Sequence, residues 1–229
     1  MWKKSVFSKN LSLTKPFFER MGVEQPQYGV VLKNMFNDIL DFVFCNPAKR
    51  KIDVPTKSMP VLNAMKHGGI FLTAHYGNHE LLGYKLAEFG LPLIAAAQEQ
   101  KPAIFNKWLQ KKRSFKGKCY AKKVDSQRLL EFIDDGGLFA ILADQRGRSD
   151  CIGEFLGVET HCNPLPAFIL EHRPNTPIFC GCLRDDTLLV EKISADDFYA
   201  YYHSWLEHLI LKRPEKWYGW FHNRFQSSL

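Results

Sequence analysis

No CxxC pair occurs in this chain of 229 residues, although it carries six cysteines. No stretch reaches the roughly 18 apolar residues that a membrane-spanning helix needs. The basic start, Met1 to Asn10, is not followed by the apolar segment of a secretory signal. Internal repeats and low-complexity linkers are absent too. These gaps argue against a secretory signal, a spanning helix and a division into several domains. A chain this long does not need disulfide staples, so the cysteines are expected as reduced, intracellular thiols. Cys180 and Cys182, two apart in an apparent strand, should share one face.

What is present is apolar and basic. Hydrophobic residues make up 45% and include 18 phenylalanines, enough for a large core, an apolar substrate surface, or both. Lysine and arginine number 31 against 24 acidic residues, a net charge of +7. Such a surface favours anionic partners: a phosphorylated lipid, an anionic membrane face, an acidic carrier protein or nucleic acid. No RNA-recognition block, zinc-finger spacing or helix-turn-helix signature is found, so nucleic acid is not expected.

The length suits one domain over residues 1–229, with residues 1–26 as a loose or surface-lying arm. Tyr28 to Cys45 reads as an amphipathic helix, with Val31, Met35, Ile39 and Phe42 at helical spacing. That helix is expected to pack on the core or to touch lipid head groups. Apolar runs at Ile70–Ala74, Leu93–Ala97, Leu138–Ala143, Ile178–Leu183 and Leu188–Ile193 read as strands. Helices are expected over 58–66, 78–89, Pro102–Phe115, 126–135 and Pro164–His172, and in a last one capped by Ser194 that stops before Pro214. Strands alternating with helices predict an α/β fold, a central mixed sheet flanked by helices.

The segment Thr73-Ala74-His75-Tyr76-Gly77-Asn78-His79-Glu80 carries the chemistry. His75 stands at a strand end, where open α/β sheets bind their ligands. Glu80 follows five residues on, at the start of a helix, and Gly77 permits the reversal between them. A neutral imidazole can take the proton of an attacking hydroxyl. A carboxylate on its other nitrogen fixes the tautomer and stabilises the imidazolium. His75, His79 and Glu80 do not reproduce the H-E-x-x-H zinc pattern, so no metal is expected.

This segment resembles the H-x-G-N-x-E block of the lipid A biosynthesis acyltransferases, within the wider H-x4-D/E lipid acyltransferases. Three further blocks follow in the family's order. They are Gln98 to Gly117, with Arg113; Ala143-Asp144-Gln145 with Phe155-Leu156-Gly157 and Thr160; and Pro214 to Phe225, with Trp217, Trp220, His222 and Arg224. The similarity spans about Val30 to Gln226. Three departures stand out: His79 where the family usually has Trp, Gln98 where it usually has Arg, and no spanning helix ahead of the domain. The first two bear on the acceptor, the third on membrane attachment.

The resemblance implies a glycerol-3-phosphate-acyltransferase-like fold and no cofactor. It implies acyl transfer from acyl-carrier protein, or acyl-CoA, to a hydroxyl of a phosphoglycolipid, at the cytoplasmic face of the inner membrane and with peripheral attachment. His75 would be the base and Glu80 its orienting partner. Asn78 is read as a substrate contact or as the cap of the helix beginning there. Arg113 would bind acceptor phosphates or the carrier, unless its basic run is a solvated face. Asp144 and Gln145 should face the cleft of His75, where Asp144 either meets the acceptor sugar or caps a turn. Arg224 is read as a substrate-side or buried structural contact. The oxyanion donors are left between backbone amides near Gly77 and a nearby Arg. A mannolipid, aminolipid or lysophospholipid acceptor, and a thioester hydrolase, stay open as alternatives.

Overall fold

The computed structural model of the chain describes residues 4–96, 119–121, 125–147 and 151–225. Six strands form one sheet: β1 (Gly69–Thr73), β2 (Leu93–Ala96), β3 (Cys119–Ala121), β4 (Leu138–Leu142), β7 (Ile178–Arg184) and β8 (Thr187–Ile193). Their order is β3-β2-β4-β1-β7-β8. All neighbours run parallel except the antiparallel pair β7–β8. The sheet is therefore mixed, as the alternation of strands and helices predicts. A separate hairpin, β5 (Ile152–Phe155) with β6 (Val158–His161), lies outside it.

The central strands are apolar throughout because both faces are covered. On one face Ile70 and Leu72 of β1, with Ala74 just past its end, pack with Phe139 and Ile141 of β4 and with Cys180 and Cys182 of β7, so the two cysteines do share a face. Burial pushes the Cys182 thiol up to about 12, the behaviour of a small hydrophobe and not of a nucleophile. On the other face Phe71, Leu138, Ala140 and Phe179 meet α3 (Met59–Met65) and α4 (His79–Glu88).

The first face is covered by α1 (Lys4–Met21), α2 (Tyr28–Phe44), α5 (Ser126–Asp134), α6 (Pro164–His172) and α7 (Phe198–Lys212). The expected arm over 1–26 is thus corrected: most of it is an 18-residue helix. Phe7, Asn10, Thr14 and Phe18 are buried at helical spacing despite Pro16 within the helix. Phe18 lies 5.9 Å from the Trp220 ring, and the Asn10 amide donates to the carbonyls of Trp220 and His222. The start of α7 is corrected as well. Ser194 accepts from the Asp196 amide in a local turn, and the helix begins only at Phe198, after Asp197 in left-handed backbone. The helix read over Pro102–Phe115 lies outside the described residues. No helix among the described residues is long and apolar enough to cross a membrane.

Candidate active site

Strand register builds the site. β1 and β4 lie side by side, with Thr73 opposite Leu142. Two residues beyond, past their carboxyl ends, come His75 and Asp144. Parallel strands bring equivalent positions abreast, so the side chains of His75 and Asp144 meet although 69 residues separate them. His75 Nδ1 lies 2.9 Å from Asp144 Oδ1, and the His75 backbone amide donates to Asp144 Oδ2 at 2.9 Å. The Trp217 indole donates to the same Oδ2 at 2.8 Å.

The carboxylate expected on His75 was that of Glu80, and the structure corrects this: Asp144 occupies Nδ1. Glu80 stands, half-buried, in the first turn of α4, where a helix N-terminus favours negative charge. The sequence reading weighed proximity along the chain, whereas the pairing is made across the sheet. Burial alone would raise the Asp144 carboxyl. The opposing charge of His75, the hydrogen bonds from its ring and amide, and the Trp217 indole outweigh burial and hold it well below the usual carboxylate range. Asp144 therefore stays ionised, and Nδ1 carries the proton facing it.

With Nδ1 so engaged, Nε2 presents its lone pair outward. The Gln145 side-chain amide reaches it at 3.3 Å, long for a hydrogen bond and readily displaced. The His75 side chain keeps 13% of its surface accessible, while that of Asp144 keeps none. The imidazole is open at one edge and its partner carboxylate is sealed. Rings of His79 and His222 lie 5.0 and 4.8 Å from that of His75.

Gly77 makes the turn. Its φ is +60°, and a Cβ there would sit 2.5 Å from the Leu183 carbonyl oxygen, so only glycine fits. Its amide donates to the Lys216 carbonyl at 2.9 Å, and the Tyr218 amide donates to the His75 carbonyl at 2.7 Å. The C-terminal block thus holds the His75–Gly77 loop from outside the sheet. The Gly77 amide, one of the expected oxyanion donors, is already spent on Lys216.

Asn78 resolves to its capping reading. Oδ1 accepts from the Leu81 amide at 3.0 Å, and Nδ2 donates to the Asp38 carbonyl and to Asp41 Oδ2. Arg224 is fully buried, so its expected contact with substrate is corrected to a positioning one. Its guanidinium donates to the carbonyls of Gln145 (2.8 Å) and His161 (3.1 Å) and faces His203 Nε2 at 2.9 Å. Arg113 and Gln98 lie outside the described residues. Sequence reasoning missed Trp217 as an Asp144 partner; the same side chain is fully buried in the core. A polar cleft of about 280 Å³ touches the loop at Tyr76, Gly77 and Asn78 but not at His75. Its lining includes four aspartates, two arginines and one lysine, which does not suit an acyl chain.

One buried and one half-buried histidine set a pH limit on this architecture. His203 accepts from Arg224 at Nε2, and its Nδ1 meets the Glu154 carbonyl at 2.9 Å. Burial, then the Arg224 charge, lowers it to about 3. Burial, then the neighbouring His75, lowers His222 to about 4. Both are neutral in the folded chain and take up protons once unfolded, below about pH 6.5. Protons therefore favour the unfolded state, and stability is lost as pH falls from about 6.5 towards 4. At about pH 5 each histidine should contribute a loss of up to about 2 kcal/mol. Thermal unfolding followed between about pH 7.5 and 5 checks this, and His222→Asn should flatten the slope. An unchanged slope in that variant would contradict the assignment.

A comparison with curated proteins returns no match. A sequence profile for the bacterial lipid A biosynthesis acyltransferases matches residues 59–227. That span runs from α3 through the C-terminal block and holds His75, Glu80, Asp144, Gln145 and Arg224. The match covers most of the chain, and the chain belongs to the bacterial lipid A biosynthesis acyltransferase family.

Proposed function

We propose that this acyltransferase moves a fatty acyl group from acyl-carrier protein, or acyl-CoA, to a hydroxyl of a lipid A precursor or similar phosphoglycolipid. The observation that carries the reading is the His75 ring, tied through Nδ1 to the buried Asp144 and accessible at Nε2. The acceptor hydroxyl takes the place of the Gln145 amide at Nε2. Its oxygen attacks the thioester carbonyl carbon as Nε2 takes the proton. The tetrahedral intermediate collapses with cleavage of the C–S bond, and the imidazolium returns its proton to the leaving thiolate. Asp144 orients the ring and stabilises its charged form without taking the proton.

Glu80 acts on the substrate side, since Nδ1 is already occupied. Arg113 is the cation for acceptor phosphate or for the carrier, as its place in the family's second block suggests. The enzyme works peripherally at the cytoplasmic face of the inner membrane. A different acceptor, such as a mannolipid or lysophospholipid, is favoured by one observation. His79, where the family usually has Trp, has its ring 5.0 Å from that of His75, inside the site.

The test is purified protein with acyl-carrier and acyl-CoA thioesters against phosphoglycolipid, mannolipid and lysophospholipid acceptors, with products weighed by mass spectrometry. One added acyl ester on the phosphoglycolipid is expected. Free fatty acid with no acylated lipid would overturn the reading in favour of a hydrolase. Glu80→Gln should raise the acceptor KM more than it lowers kcat, whereas an orienting carboxylate would show its effect in kcat.

A further inference from the structure

Helix α2 has two unlike flanks. At 100° per residue, Val31, Met35 and Phe42 point to the core. On the opposite arc stand Val30, Phe36, Leu40 and Phe44, exposed by 44%, 44%, 47% and 79%. Phe36, Leu40 and Phe44 recur every fourth residue and form a stripe along the outside. One carboxylate, Asp41, stands at the edge of this arc, where Arg50 faces it at 3.6 Å. The helix's two acidic residues, Asp38 and Asp41, lie on the flank that contacts Asn78, Tyr218 and Arg50. Lys33 sits within the arc, and the exposed Lys49 and Lys51 follow the helix. The helix precedes residues 59–227, so the family match does not account for its pattern.

An apolar stripe with Lys33 inside it, lysines beyond its end and its bordering carboxylate paired to Arg50 matches an anionic bilayer surface. A second copy of the chain fits less well, since a two-fold contact would oppose like charges. We infer that the outer arc of α2, centred on Phe36, Leu40 and Phe44, docks the enzyme on an anionic lipid leaflet. The inference rests on the proposed function for its reason to reach lipid. It adds the surface and a link to the chemistry. The inner flank of the same helix accepts the Tyr218 hydroxyl on Asp38 and the Asn78 amide on Asp38 and Asp41. Both partners belong to the loop and block that hold His75, so the element that meets lipid also braces the base.

The test separates docking from catalysis. Full-length protein is floated with vesicles of phosphatidylcholine alone and of phosphatidylcholine with phosphatidylglycerol. Wild type should float with the anionic vesicles. Phe36→Ser/Leu40→Ser/Phe44→Ser should reduce the bound fraction about tenfold or more, with its melting temperature preserved because these side chains lie at the surface. Should the triple variant fail to fold, the single Phe44→Ser, at the most exposed position, should show a smaller loss in the same direction. Lys33→Gln/Lys49→Gln/Lys51→Gln should erase the preference for the anionic composition. Activity on a detergent-dispersed acceptor should match wild type in the serine variants, so a failed acyl-transfer reading leaves the flotation result standing. Serine variants that float like wild type would overturn the inference. So would a wild type that fails to float but sediments as a dimer that the triple variant dissociates.

Discussion

Replacing His75 with alanine is expected to reduce acyl transfer by about 10²–10⁴-fold, the range general base action supplies. The fall should appear in kcat, because the imidazole matters most as the proton leaves the hydroxyl. The side chain is partly exposed and makes its polar contacts through Asp144 and Gln145, so the fold should survive the truncation. Circular dichroism and flotation should therefore resemble wild type while product formation collapses. Activity retained within a few-fold would remove His75 from the chemistry.

Asp144→Asn should cost nearly as much in rate and more in stability. A carboxylate accepts three hydrogen bonds here: from the His75 amide, the His75 ring and the Trp217 indole. An amide has one acceptor oxygen and adds two donors. One donor would face Nδ1, which would then turn to accept, and the proton would move to Nε2. The base would sit in the wrong tautomer, a defect worth about 10³–10⁴-fold where a similar pair has been altered. The buried indole or amide left unpaired adds about 1–3 kcal/mol of destabilisation. Nitrogen chemical shifts of the His75 ring should report the tautomer change directly. A variant that keeps Nδ1 protonated and full activity would show that Glu80, not Asp144, orients the base.

The central strands were legible because they are buried on both faces and read as unbroken apolar runs, from Ile70 to Leu72 and from Leu138 to Ile141. β3 was missed: three residues carry too little pattern to stand out. The β5–β6 hairpin was missed because its turn is not written in the usual residues. Leu156 and Gly157 both have positive φ, and a two-residue turn of that kind normally signals itself with Asn-Gly. Burial of Leu156 and the hydrogen bond its backbone amide donates to Glu207 Oε1 hold the unusual choice in place. Helix α1 was obscured by Pro16 and by Asn10 and Thr14 at core-facing positions, which reach the core only through hydrogen bonds.

The site divides along the same line. His75 was visible because strand, base and glycine turn are contiguous. Its partner was not, because β1 and β4 adjoin in the sheet while β2 and β3 intervene in the chain. A carboxylate five residues away therefore looked nearer than one 69 residues away. Asp144 and Gln145 had been placed at the cleft by their strand end, but which of them would touch the imidazole depended on register. Arg224 was left open between a substrate-side contact and a buried structural one, and the fold decides for the second by spending its charge inside.

The tie from Trp217 and Arg224 back to Asp144 and Gln145 also has a consequence for biosynthesis. On the ribosome the described strands of the sheet are all made before Trp217 appears. The growing polypeptide can thus pair these strands while the His75 ring and the Asp144 carboxylate still lack the Trp217 and Arg224 contacts that fix them. Ordering of the His75 ring should therefore follow sheet assembly and not accompany it.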